Sequence, residues 1–179
     1  FNPNNYIEIT SYTDVPFYDK YNLSLPDNWS NSYYYNVPID ELVEIVDHSL
    51  KNGYSVCWDG DSGRDHFLRD ECYAVIPEKE KDRDEKVTEP EKEMLITQEM
   101  RQEAFDNFDV TDDHLMHFTG IAENQNGTKF YYTKNSWGTK DRKYDGYWYM
   151  SETYVRLKTV AILVHKDAIP KEIRVKLGV

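Results

Sequence analysis

Cysteine is scarce: the 179 residues hold two, Cys57 and Cys72. Two thiols can close at most one bridge, so a disulfide-stapled scaffold is excluded, and their spacing demands no bridge. No CxxC or HExxH spacing is present, which removes the usual zinc arrangements. No metal and no cofactor is expected. Long apolar runs are missing too; none approaches the roughly 20 residues of a membrane-spanning helix, so no membrane partner is expected. Basic residues are outnumbered, with 21 Lys and Arg against 33 Asp and Glu and a net charge of −12. That balance disfavours a phosphate backbone, and so nucleic acid, as a partner. No internal repeat is visible. The chain opens on Phe1 rather than Met, so the expectation is a piece of a longer polypeptide.

What is present is aromatic. Fifteen tyrosines and four tryptophans favour sheet and interface structure. Residues 1–37, rich in Asn, Tyr, Pro and Ser, read as an extended connector anchored by aromatics, with a short alternating strand at Tyr6-Ile7-Glu8-Ile9-Thr10. Residues 38–179 read as one domain. Pro38 can open a helix because its missing N–H costs nothing in the first turn. Asp40 and Glu41 suit the positive end of its dipole. Ile39, Leu42, Ile45, Val46 and Leu50 share one face, and Gly53 supplies the stop. Tyr54 to Trp58 follows as a strand. Residues 78–93 carry mixed charge that no core admits and read as a solvated insertion. Thr97 caps a second helix, expected to bury Met100, Ala104, Phe105 and Phe108. The last third is strand-rich, with Val160 to Val164 expected to be buried on both faces. Strands cluster after helices rather than alternating with them, so the expected class is α+β with an antiparallel sheet.

Thr111 to Gly120 and Lys134-Asn135-Ser136-Trp137-Gly138 organise the chain. A histidine leads a strand-like run, a hairpin turns near Asn126-Gly127, and a second run returns an asparagine and a tryptophan towards it. An imidazole whose tautomer is fixed by an amide, under an indole that excludes water, is the base half of a thiol-protease site. Two histidines compete. A tight turn at Asn126-Gly127 sets position 135 opposite 118, beside His117; a shifted loop or a bulge is needed to favour His114. An ordinary strand role for either histidine stays open on the residues alone.

His114-x-Met116-x-x-x-Gly120, then Lys134-Asn135-Ser136-Trp137-Gly138, then Gly146-Tyr147, resembles the papain-like cysteine peptidases. Pro38-Ile39-Asp40, Asp61-Ser62-Gly63, Thr97 to Arg101 and Thr111 to His114 look closest to their bleomycin hydrolase and aminopeptidase C branch. The resemblance implies the barrel-like antiparallel half of the papain fold, with flanking helices. It places the base six residues before Gly120, at His114, with Asn135 as orienter and Trp137 as lid. Leu115 departs from the small residue usual after that histidine.

The nucleophile of that family sits in a Gln…Cys-Trp block at a helix N-terminus. Cys57-Trp58 mimics the pair, but Cys57 follows a helix and falls inside a strand, where nothing lowers its pKa. The expectation is therefore that no nucleophile lies in this chain, that a helical half carrying the catalytic Cys is a partner, and that the chain alone is inactive. The implied substrate is a peptide, cut near a free N-terminus. The alternatives are a noncatalytic papain-fold binding or structural domain, or a different Cys/His/Asn acyl transferase. The aromatics of residues 1–37 raise the expectation of an apolar face covered by that connector or by a second copy of the chain, as a homo-oligomer.

Overall fold

A computed structural model describes residues 2–26, 28–63, 66–78, 92–140 and 142–179. Most of the charged insertion read at 78–93 lies outside the described residues. Its two ends meet, since Glu78 N–H donates to the Lys92 carbonyl at 2.9 Å and Pro77 bridges Glu93.

The helical periodicity at residues 39–50 forms α1 (Ile39–Lys51), with Pro38 at its N-cap and Ile39, Leu42, Ile45 and Val46 buried. Gly53 leaves it at φ +80°, a conformation that costs glycine little. The strands are β1 (Tyr6–Thr10), β2 (Lys20–Tyr21), β3 (Tyr34–Asn36), β4 (Val56–Gly60), β5 (Phe67–Leu68), β6 (Tyr73–Ala74), β7 (His114–Glu123), β8 (Lys129–Lys134), β9 (Tyr147–Ser151) and β10 (Thr159–His165). They make one sheet in the order β2-β3-β1-β10-β4-β7-β8-β9-β6-β5. The remaining helices are α2 (Gln98–Asp106), α3 (Glu152–Lys158) and α4 (Lys171–Leu177). The class is α+β. Most ladders are antiparallel, but β1 with β3 and β6 with β9 run parallel.

Residues 6–10, inside the stretch read as a connector, form β1, which lies between β3 and β10. Tyr12 and Leu23 are buried against Val160 and Ala161 in a second, smaller core, while Trp29 and Tyr33 stay exposed. Two local expectations change. The α2 helix, capped by the Thr97 hydroxyl as expected, stops at Asp106 and buries Arg101 and Gln102. Phe108 falls beyond it at φ +62° and is thrown out to 81% exposure. In β10, Leu163 is 37% exposed while Val160, Ala161, Ile162 and Val164 are buried, so the expected cover on both faces holds through Ile162 and opens at Leu163.

A chain of polar contacts ties α1 to β8 and α3. Asp47 accepts from the Tyr131 hydroxyl at 2.8 Å and from Lys129 Nζ at 2.7 Å. Lys129 also meets Glu152 at 2.9 Å, and Arg156 joins Glu152 and Asp40, each at 2.7 Å. Burial opposes the charge on Asp47, but Lys129, Tyr131 and Lys51 outweigh it and hold the carboxyl below its ordinary 3.8. Glu152 is likewise buried yet held below 4.5 by Lys129 and Arg156. A depressed folded-state value stabilises the fold above the unfolded pKa and is lost as pH falls through the folded one. Asp47→Asn is therefore expected to cost about 1 kcal/mol at pH 7 and to flatten the acid limb of stability below about pH 4. Urea midpoints of both proteins from pH 7 to 3 read this out; parallel acid limbs would contradict it. Glu93, raised by burial, works in the opposite sense, which is why the variant is compared with wild type rather than the curve read alone.

Candidate active site

The β7–β8 hairpin positions the site. Its loop closes on Asn124, whose side-chain oxygen accepts the N–H groups of Asn126 and Thr128, each at 2.9 Å; Gly127 supplies φ +80°. From Glu123↔Lys129 to Gly120↔Tyr132 the register is regular, then it shifts, so that Phe118 faces Thr133 and His117 faces Lys134. Carried on unshifted, the pairing would set Asn135 opposite His117. The bulge at Thr119 sets it opposite Met116 instead. Because facing residues share a side of the sheet, that single residue moves Asn135 from the face of His117 to the face of His114.

His114 and Asn135 are then diagonal neighbours, and His114 Nε2 lies 3.0 Å from Asn135 Oδ1. The same Oδ1 accepts the Ser136 backbone N–H at 2.7 Å, which identifies it as the carbonyl oxygen of the amide. Nε2 must therefore donate, and the neutral ring keeps its lone pair on Nδ1. Asn135 is 2% exposed, its backbone N–H held by the Gly146 carbonyl at 3.0 Å. Gly146 has φ +81°, and a Cβ there would run into the Gly138 carbonyl.

Trp137 covers the pair. Its ring lies 5.1 Å from the His114 ring at 38°. Two buried aromatics hold it edge-on: Trp148 at 5.6 Å and 89°, and Phe67 at 6.1 Å and 82°. Sequence reasoning missed both. The Phe67 strand is only two residues long, and nothing local in it points to a site. The start of β7 is braced as well. Asp113 accepts from Ser62 N–H at 2.8 Å and Asp61 from Thr111 N–H at 2.9 Å, while the Tyr154 hydroxyl donates to the Asp61 carbonyl at 2.6 Å. The Asp61 side-chain oxygens accept from Gly63 N–H and Thr111 N–H.

Neither cysteine reaches the imidazole. Cys57 faces His117, while Gly60 faces His114, three residues or about 10 Å along the strand. By alternation Cys57 points to the opposite side of the sheet from His114. Burial pushes its thiol up, with the charges of Asp59 and Glu8 adding to that, the reverse of an activated nucleophile. Cys72 is buried, at φ +59° in the turn before β6. Both are free thiols.

Gly146→Ala should strain the turn that presents Asn135 and cost about 1–3 kcal/mol of stability. Thermal unfolding reads this; an unchanged midpoint would mean that the turn relaxes without moving the Gly146 carbonyl.

A family model described as the peptidase C1-like family matches residues 1–178. Among solved structures, the chain is similar to PepW from Lactobacillus rhamnosis HN001, with TM-score 0.69 and 20% identity, over 99% of this chain and 39% of that one. Bromelain protease from Ananas comosus, in complex with the E64 inhibitor, matches 70% of this chain and 45% of that one at TM-score 0.38 and 14% identity. The chain thus spans about two fifths of the PepW chain. No curated protein matches it.

Proposed function

The chain belongs to the peptidase C1-like family of papain-like cysteine peptidases, and from that premise we propose that His114, Asn135 and Trp137 are the base half of a cysteine peptidase site. The observation that carries this reading is the Nε2–H to Asn135 bond, which leaves Nδ1 as the free base atom. In the proposed reaction Nδ1 takes the proton from a thiol, and the thiolate attacks the peptide carbonyl. The imidazolium, steadied by Asn135, then gives that proton to the leaving amine as the C–N bond breaks. Water enters next: the same nitrogen takes its proton, the hydroxyl adds to the thioester carbonyl, and the C–S bond breaks to release the acid and the thiolate, which recovers the proton from the imidazolium. Trp137 keeps solvent off the His–Asn bond.

The thiol comes, in this reading, from a helical half outside this sequence. The opposed faces of Cys57 and His114 support that. Leu115 at 60% and Leu163 at 37% exposure share the Cys57 face, away from His114, so in this reading they are surface for a second copy of the chain rather than for the thiol-bearing half. The finer assignment is to the bleomycin hydrolase and aminopeptidase C branch, cutting next to free N-termini. It rests on Pro38 to Asp40, Thr97 to Arg101 and Thr111 to His114.

The test is the full-length polypeptide containing this chain, assayed on aminoacyl-amidomethylcoumarin substrates with and without a thiol-blocking reagent, beside N-acylated versions of the same substrates. Thiol-dependent turnover of the free-amine substrates alone is expected. Turnover of both substrate types would remove the aminopeptidase assignment. No turnover at all would leave a noncatalytic papain-fold domain.

A further inference from the structure

Against a chain of net charge −12, the surroundings of Trp137 are cationic. The Arg69 guanidinium carbon lies 5.1 Å from the Trp137 ring centroid, and that of Arg142 lies 5.8 Å from the same ring. They arrive from separate places in the chain, Arg69 from the turn after β5 and Arg142 from the loop between β8 and β9. Lys134 and Lys143 flank them, over Tyr147 and Tyr144. Among the described residues neither guanidinium has a carboxylate partner, although Asp70 and Glu71 follow Arg69 directly in sequence. Arg69 is exposed and Arg142 half-buried. Guanidinium groups seated on an indole are pre-ordered with their N–H edges free.

We infer that this pair recognises a carboxylate on the leaving-group side of the substrate, which rests on the reading of His114 as the base. The imidazole that protonates the leaving amine must touch it. The residues following that amine therefore run over the imidazole and the indole beside it, 5.1 Å away. There they meet Arg69 and Arg142, whose planar forks match a carboxylate bidentately. The substrate class is a peptide with a free C-terminal carboxylate, or an Asp or Glu side chain, shortly after the cleaved bond.

The experiment uses the full-length polypeptide and peptide pairs that differ only in charge: C-terminal acid against amide, and Glu against Gln after the cleaved bond with the terminus amidated. The first pair reports the terminal carboxylate, the second the side chain. The charged member of at least one pair should be preferred by about tenfold in kcat/KM. Arg69→Gln with Arg142→Gln should bring both members of that pair to the same kcat/KM. Calorimetric titration with the leaving-side product peptides, acid and amide, reads the same preference without turnover. Equal handling of acid and amide by wild type, or a preference that survives the double variant, overturns the inference. If no peptide is cleaved, the assignment of the base fails, and the titrations alone decide whether the arginines select a carboxylate.

Discussion

His114→Ala in the full-length polypeptide should lower kcat/KM by about a thousandfold or more, the scale on which a positioned acid–base group acts. His117→Ala should leave the rate within about threefold, the effect of a surface substitution away from the chemistry. The two differ because His114 shares a face with Asn135 and bonds it at 3.0 Å, whereas His117 points outward opposite Cys57. Asn135→Ala should fall between them. It removes an orienting hydrogen bond and no proton carrier, which corresponds to roughly ten- to a hundredfold. Steady-state kinetics on the three variants, with circular dichroism to show that each is folded, checks the order. A dead, folded His117 variant beside an active His114 variant would reverse the assignment of the base.

The isolated 179-residue chain should show no thiol-dependent peptide hydrolysis, a loss on the full scale of catalysis. Cys57 would need to reach across the sheet to serve His114, and burial raises its thiol when activation requires the opposite. Cys72 is 1% exposed. The measurement is aminoacyl-amidomethylcoumarin turnover by the purified, folded chain, then again after addition of the remaining part of the polypeptide. Turnover by the chain alone that disappears in Cys57→Ser would sink the proposal that the nucleophile lies elsewhere. Turnover only after mixing would support it.

Much of this could be read locally. The first helix declared itself through its apolar spacing, Pro38 and Gly53, because all of these act within a few residues. Thr97 caps α2 for the same reason, its side chain accepting from Met100 N–H. The face that α2 buries was legible only in part: Met100, Ala104 and Phe105 pack half-buried against the cores as expected, but the most buried residue, Arg101, was not foreseen. Arg101 carries the longest side chain available to reach the Ser11 and Arg156 carbonyls, at 2.8 and 3.0 Å, and those partners lie far away in sequence. The role of residues 6–10 was hidden in the same way. A strand pattern says that a segment can pair, and only its distant partners, here β3 and β10, say where.

By itself the sequence determined which side chains exist for chemistry: an Asn-Ser-Trp-Gly block, two candidate histidines before it, and two cysteines in contexts unlike a nucleophile. The residues alone left the two histidines open and the family resemblance favoured His114; which of them Asn135 bonds was decided by the tertiary structure. The bulge at Thr119 adds one residue to one strand of a ladder whose side chains alternate every residue. One residue is enough to swap the face that Asn135 shares. No local propensity encodes that swap, because it depends on how β7 is held by β4 on one side and β8 on the other. Trp137 reached the His114 ring for the same kind of reason: Phe67 and Trp148, remote in sequence, pack against it only once the sheet has assembled.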